Sequence, residues 1–244
     1  MDSNEVRKEW AERSGEYSPS YYAYYGPDET SELILDLLDS FVGSDAAVVE
    51  LGCSSGRHLA HLRDHGYDDL HGVEINDEAF DVMAETYPDL AADGTFYNDA
   101  IENAVAAFED DRFDAVFSVE TLQHIHPDDE AVFGELARIT GDLLVTVENE
   151  NRESEAESDL DGDRTEGRDT ARDGQREPRE SDSEREGSDS DGELAARRGV
   201  NYVDGEFPLY YRNWNRIFTE RGLTEVECQS TKRDTLRAFR SDGN

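Results

Sequence analysis

Lysine is almost missing from this chain of 244 residues: Lys8 and Lys232 are its lysines, and the rest of its 23 basic residues are arginines. Bases of either kind are outnumbered by 60 acidic residues, which leaves a formal net charge of −37. Such a balance disfavours nucleic acid and other polyanions as partners, although in molar salt the Debye length shrinks to about 3 Å and charge arguments lose reach. Cysteine is scarce as well. Cys53 and Cys228 lie far apart and form no C-x-x-C, so neither a disulfide framework nor a metal site is indicated, and both read as small core or turn residues. No apolar run approaches the ~18 residues of a membrane span, and the opening MDSNEVRKEW has no apolar signal core. A cytoplasmic protein with no membrane partner is expected.

Apolar residues themselves disappear from about Asn151 to Glu193, where Asp, Glu, Ser, Gly and Arg predominate. A segment of that composition buries too little surface to offset its ordering entropy, so 151–193 is expected to be a disordered acidic insertion. It divides the chain into a main part, 1–150, and a C-terminal part of the same domain, 194–244. The charge balance also resembles that of salt-adapted proteins, whose carboxylates stay hydrated in concentrated salt and which replace lysine.

Against these absences stands Ala46 to Gly56, AAVVELGCSSG. Ala46 to Leu51 reads as a buried parallel strand, and Arg57 to His65 opens a helix with Leu59 and Leu62 on one face. A strand that passes through a glycine turn into a helix sets free backbone N–H groups beside a ligand, and Gly52 allows close approach. The turn lacks the middle glycine of the dinucleotide fingerprint G-x-G-x-x-G. It has instead a carboxylate, Glu50, which would repel a pyrophosphate and would attract the ammonium and sulfonium of S-adenosylmethionine. Glu50-Leu51-Gly52-Cys53-Ser54-Ser55-Gly56 closely resembles the E/D-x-G-x-x-x-G cofactor motif of the Rossmann-like (class I) S-adenosylmethionine-dependent methyltransferases.

Other segments fit that resemblance. Leu70 to Ile75 reads as a second strand ending in Glu74, whose carboxylate suits a pair of ribose hydroxyls. Asn76 is expected to cap a helix from Asp77 to Tyr87 with Phe80, Met83, Ala84 and Tyr87 inward, ended by Pro88. Thr95 to Tyr97 is a third strand and delivers Asp99 and Ala100 into a loop. The family places an acidic residue there on the adenine amine; capping of a helix from Ile101 to Phe108 is the other reading of Asp99. Phe113 to Val119 is a continuous apolar strand of the kind found in the middle of a parallel sheet. FDAVFSVETLQHIHP resembles the family's fourth-strand motif, which implies that the Ser118 strand end borders the methyl group. No N-P-P-Y or D-P-P-Y follows, so the likeness does not extend to the DNA and glutamine N-methyltransferases.

His124 is the candidate general base, set against a structural or cofactor-lining place. His126 before Pro127 is expected to start a helix from Asp128 to Ile139. Asp142 to Val147 is a fifth strand. Early in the chain, Val6 to Arg13 and Asp28 to Phe41 read as helices. Tyr17, Tyr21, Tyr22, Tyr24 and Tyr25 between them either form a lid over the cofactor or pack on the sheet edge. Late in the chain, Pro208 is expected to start a helix to Arg221, with Tyr211, Trp214, Ile217 and Phe218 on its apolar stripe. Thr224 to Ser230 and Thr235 to Arg240 then form a terminal hairpin.

The resemblance implies an α/β three-layer sandwich whose seven-stranded, mostly parallel sheet has the order 3-2-1-4-5-7-6, with strand 7 antiparallel. It implies S-adenosylmethionine as cofactor, held by Glu50, Gly52, Cys53, Ser54, Gly56, Glu74, Asp99, Ala100 and Ser118. His124 is the catalytic candidate and Tyr25, Tyr210 and Arg212 are substrate-contact candidates around a small-molecule acceptor; no metal and no particular oligomeric state is implied. Two other functions fit the sequence less well: an NAD-dependent oxidoreductase, and a non-catalytic cofactor-binding protein that acts through its acidic insertion.

Overall fold

The computed structural model describes residues 1–150, 200–203 and 207–241. The expected insertion, 151–193, lies outside the described residues.

Two N-terminal helices precede the sheet, α1 (Ser3–Ala11) and α2 (Pro19–Tyr25). Each starts on a side-chain cap, Asp2 for α1 and Ser18 for α2, which satisfies N–H groups that have no partner inside the helix. Helix α3 (Glu29–Phe41) is capped by Asp28 and leads to β1 (Val48–Leu51). Alternation then sets the pattern: α4 (Arg57–Asp64), β2 (Leu70–Glu74), α5 (Glu78–Thr86), α6 (Pro88–Asp93), β3 (Thr95–Asn98), α7 (Ile101–Ala106), β4 (Phe113–Val119), α8 (Val132–Ile139) and β5 (Thr140–Glu148). After the gap come a two-stranded ribbon of β6 (Val200–Val203) and β7 (Phe207–Tyr210), helix α9 (Trp214–Thr219), and the hairpin β8 (Leu223–Ser230) and β9 (Thr235–Ser241).

The main sheet has the order β3-β2-β1-β4-β5-β9-β8. Strands β1 to β5 pair in parallel, and β9 runs antiparallel to both β5 and β8. This is the expected topology, with β8 and β9 in the places of strands 6 and 7. Residues alternate between two cores because successive strand side chains point to opposite faces. Val48, Ala115, Phe117, Val145 and Ala238 pack with α3, α4 and the α5–α6 pair on one face. On the other, Val49, Leu51, Val116, Leu144 and Phe239 pack with α7, α8 and α9. The order reverses between β1 and β4, so the carboxyl ends of β1, β2 and β4 open a crevice on one edge.

Several expected boundaries shift. Pro208 begins no helix: it pairs with Tyr202 in the β6–β7 ribbon, and a ribbon with one unpaired side tolerates a residue without an N–H. The helix starts at Trp214 because Asn213 caps it, its side chain accepting the Arg216 N–H at 2.8 Å. Trp214 and Phe218 are buried as expected, and Ile217 is partly buried. His126 likewise leads into a short 3-10 turn, Pro127–Asp129, and the regular helix waits until Val132. Ala84 faces solvent, and Ala79 takes the inward place beside Met83. Pro88, expected to end a helix, also opens the next one at its first position, where a missing N–H costs nothing. Among the described residues no helix is long and apolar enough to cross a membrane, and no His, Cys, Asp and Glu cluster has a metal-binding arrangement.

Candidate active site

A cavity of about 250 Å³ occupies the crevice at the carboxyl ends of β1, β2 and β4. Its floor is the glycine turn after β1. Gly52 has φ +74°, and a Cβ there would overlap the Thr121 side chain, so only glycine fits between the two loops. Ser54 follows at φ +48° and Glu120, just after β4, at φ +50°. Left-handed backbone costs a non-glycine residue on the order of 1 to 3 kcal/mol, and here it flanks the cavity from both strands.

Glu50 is buried at 2% exposure and lines the cavity; its Oε2 has no hydrogen-bond partner. Burial pushes its carboxyl well above the usual range, opposed by the Arg57 guanidinium and aided by Glu74. A second buried polar atom at this wall, the Trp10 indole nitrogen, also lacks a partner. Orphaned buried polar groups are rare in folded proteins and mark places where a ligand or water completes the bonding. The residues present therefore fit a cofactor that brings a positive, hydrogen-donating group to Glu50.

Glu74 ties the floor together. Its Oε2 accepts the Ser54 N–H and its Oε1 the Asn76 N–H, each at 2.8 Å, and burial raises its carboxyl against these bonds. Asn76 in turn donates from Nδ2 to the backbone carbonyls of Arg13, at 3.0 Å, and Trp10, at 3.5 Å. The α1–α2 segment is thus fastened over the carboxyl end of β2. Tyr17, Tyr22 and Trp10 line the cavity from this segment, whereas Tyr24 and Tyr25 are exposed. Of the two readings of the tyrosine run, part of it covers the cavity and none of it needs the sheet edge: α2 packs on α5.

Cys53, Asp99 and Ala100 also line the cavity. The Cys53 thiol is buried against Gly72 and held neutral by that burial, so it is packing material. Asp99 Oδ1 accepts the Ala100 N–H at 2.8 Å and the Asn103 side chain at 2.9 Å, steadying the turn into α7.

The far wall comes from the loop after β4 and from late segments of the chain. His124 lines the cavity, its ring tilted at 55° against Trp10, with Nδ1 donating to the Pro208 carbonyl at 3.0 Å. Burial lowers this imidazole to about 4, so it is neutral, with its free lone pair on Nε2. Its loop is held by Glu148, at the end of β5. Glu148 Oε1 accepts from Ser118 Oγ and from the N–H groups of Thr121 and Leu122, and Oε2 accepts the Gln123 N–H. Beyond it, Glu120 Oε1 receives Arg233 Nη2 at 2.8 Å, and the carboxyl of Asp234 shares a hydrogen bond with Glu120.

Five of the expected site residues stand away from the lining. Gly56 sits behind the turn at φ +80°, where a Cβ would strike Leu90, so its place is in packing α4 on α6. Ser118 is turned into the core toward Glu148. Tyr25 is on the outer side of α2, near Tyr21 and Tyr24. Tyr210 packs against His126, and Arg212 is spent on Glu130 and on the Ile125 carbonyl, bracing the His124 loop from behind. Glu120 and Glu148 were within reach of sequence reasoning, because each directly follows or ends a predicted strand at the edge where the crevice opens. Arg13, Arg57, Arg233 and Asp234 carry no such local signal.

Residues 48–142 match the family model described as a methyltransferase domain. No curated protein matches the chain. Among solved structures, a magnesium protoporphyrin IX methyltransferase from Synechocystis PCC 6803 with bound S-adenosylmethionine is similar at 12% identity and TM-score 0.55, covering 99% of this chain and 92% of that one. A 1,6-didemethyltoxoflavin-N1-methyltransferase from Burkholderia thailandensis, bound to 1,6-didemethyltoxoflavin and S-adenosylhomocysteine, is similar at 12% identity and TM-score 0.63, covering 99% and 91%. A putative RNA methyltransferase from Pyrococcus horikoshii is similar at 13% identity and TM-score 0.52, covering 98% and 96%. At such identities the likeness is one of fold. Family match and sheet order agree: residues 48–142 are similar to a methyltransferase domain, and the sheet has the order and the antiparallel terminal hairpin of the class I methyltransferase fold.

Proposed function

We propose that this protein transfers the methyl group of S-adenosylmethionine to a small-molecule acceptor in concentrated salt, and that its cradle is Glu50, Gly52, Cys53 and Ser54. The observation that carries this reading is Glu50: a buried carboxylate with an unpartnered oxygen, beside a glycine turn, in a cavity. Such a group is costly unless a cation or donor meets it, and it is repulsive toward the pyrophosphate of a dinucleotide. S-adenosylmethionine supplies, when bound, a methyl group already activated on a sulfonium. Glu74 then offers its carboxylate to the ribose hydroxyls, and Asp99 and Ala100 border the adenine. His124, neutral and tied to the Pro208 carbonyl, lines the acceptor side as a weakly basic acceptor of hydrogen bonds.

A small acceptor is favoured because α1 and α2 wall part of the cavity, and because a net charge of −37 repels a nucleic-acid backbone. The likeness to protoporphyrin and toxoflavin methyltransferases is in keeping with that reading.

Calorimetry in molar KCl tests it. S-adenosylmethionine is expected to bind at micromolar affinity and NAD not at all. Glu50→Gln, which keeps the shape and removes the charge, is expected to weaken S-adenosylmethionine by about 2 kcal/mol. Binding of NAD, or of neither by demonstrably folded protein, would remove the methyl-donor site.

A further inference from the structure

The charges that line the cavity do not cancel. Arg7, Arg57 and Arg233 each face a carboxylate partner, respectively Asp129, Asp28 and Glu120. Arg13 lies across the Phe207 ring at 4.5 Å and donates to the Glu16 carbonyl. Beyond these matched pairs the lining still holds Glu50, Glu74, Asp99, Glu102 and Asp234. The lining thus holds more carboxyls than guanidiniums, and part of that surplus stands where the β8–β9 turn meets the loop after β4.

That part is Asp234, which meets Glu120, the partner of Arg233. Glu120 is set by its left-handed backbone after β4, and Asp234 sits in the β8–β9 turn at 7% exposure. They reach each other from strands that are not neighbours in the sheet. The groups that face the pair are Arg233 beside it, Glu148 from β5, Tyr17 and Tyr22 from the N-terminal segment, and His124 from the loop after β4. A carboxyl beside a second carboxylate keeps its proton more firmly, and Asp234 can donate that proton in its hydrogen bond to Glu120. Burial, then the charge of Glu120, pushes Asp234 up to about 8. His124 is a much weaker base, with Nδ1 committed to Pro208. The remaining wall of Trp10, Tyr17 and Tyr22 offers aromatic faces, which attract cations.

We propose that the methyl acceptor is an amine that enters as its ammonium, and that Glu120 and Asp234 seat that ammonium and take its proton. The inference rests on the methyl-transfer reading and names its substrate class. An ammonium nitrogen has no lone pair, so a proton must leave before it can attack. Its arrival favours ionisation of Asp234 and displaces the Asp234 proton to solvent. The nitrogen passes one of its own protons to Asp234, which restores the pair. It then forms the N–C bond to the methyl carbon as the C–S bond breaks, with the electron pair of that bond left on sulfur. The product leaves as a methylated ammonium, and the balance is one proton released per transfer.

The test uses the full chain in molar KCl, loaded with S-adenosylhomocysteine, and three probes of similar size: benzylamine, benzyl alcohol and phenylacetate. Calorimetry is expected to show benzylamine binding at least about tenfold tighter than the other two. At pH 7 its binding should release about one proton, read from the dependence of the heat on the buffer's ionisation enthalpy. Asp234→Asn and Glu120→Gln should each abolish the proton release and most of the preference, and Asp234→Glu should keep both. Equal or tighter binding of the alcohol or of phenylacetate, binding of none of the three, or an unchanged amine preference in both variants would overturn the proposal. Should Asp234→Asn fail to fold, the order of the probes on the unaltered protein still decides. Cofactor affinity measured in the same samples reads the methyl-donor assignment separately, so the two ideas can fail independently.

Discussion

Glu148 shows how much of this site is held by one side chain that never touches the cavity. It gathers a hydroxyl and three backbone N–H groups from the loop that carries His124, and burial lifts its carboxyl to about 7 against the ordinary 4.5. Between those two values the folded protein keeps a proton that the unfolded chain has lost. Stability from this group is therefore complete below pH ~4.5 and declines as pH rises through ~7. The decline amounts to about 3 kcal/mol, from the size of the shift. Glu148→Gln cannot titrate, so denaturant unfolding at constant KCl should show the unaltered protein losing stability relative to this variant between pH 4.5 and 7. Parallel pH profiles would refute the assignment. At this scale the placement of a side chain was readable where a local pattern marks it: Glu50, Glu74 and Asp99 each stand where a predicted strand meets its turn, and all three line the cavity. Asp234 was not readable, because a turn aspartate becomes a cavity residue only through the pairing of β9 with β5, more than 80 positions away in the chain.

Among the elements, the parallel strands and their helices were legible because apolar runs and glycine or proline stops mark them on the chain itself. The exception is the stretch from Val200 to Trp214. Pro208 there carries the sequence mark of a helix start, yet the structure makes a ribbon, because the β7 backbone is wanted by the loop after β4: the Pro208 carbonyl receives His124. A tertiary bond overrode a local preference. The N-terminal helices depend on a tertiary bond of the same kind. Asn76→Ala removes both hydrogen bonds that fasten the segment between α1 and α2 to the sheet. It should cost about 1 to 3 kcal/mol. Amide exchange over residues 3–25 should quicken in this variant while the β1–β4 core stays protected, and S-adenosylmethionine should bind more weakly. Unchanged exchange would mean that packing of α2 on α5 alone holds the segment.

For the whole molecule the dominant quantity is the net charge of −37. At ~0.1 M salt the Debye length is about 10 Å, and carboxylates across the surface repel one another; at molar salt they are screened to about 3 Å. Thermal unfolding is accordingly expected to move to higher temperature as KCl is raised from ~0.1 M to several molar, with most of the gain below ~1 M if screening is its cause. A Tm that falls or stays level over that range would remove the salt-adapted reading.

The far wall of the cavity draws on Leu209, Arg233 and Asp234 from the end of the chain as well as on the loop after β4, and Asp234 is brought there by the pairing of β9 with β5 and β8. During synthesis the glycine turn after β1 and the loop after β4 therefore emerge long before the last residues of that wall. A nascent chain that has emerged as far as Glu150 holds Glu50, Glu120 and His124 but still lacks Leu209, Arg233 and Asp234, so on the methyl-transfer reading it is expected to have no finished place for an acceptor while the last of it is being made.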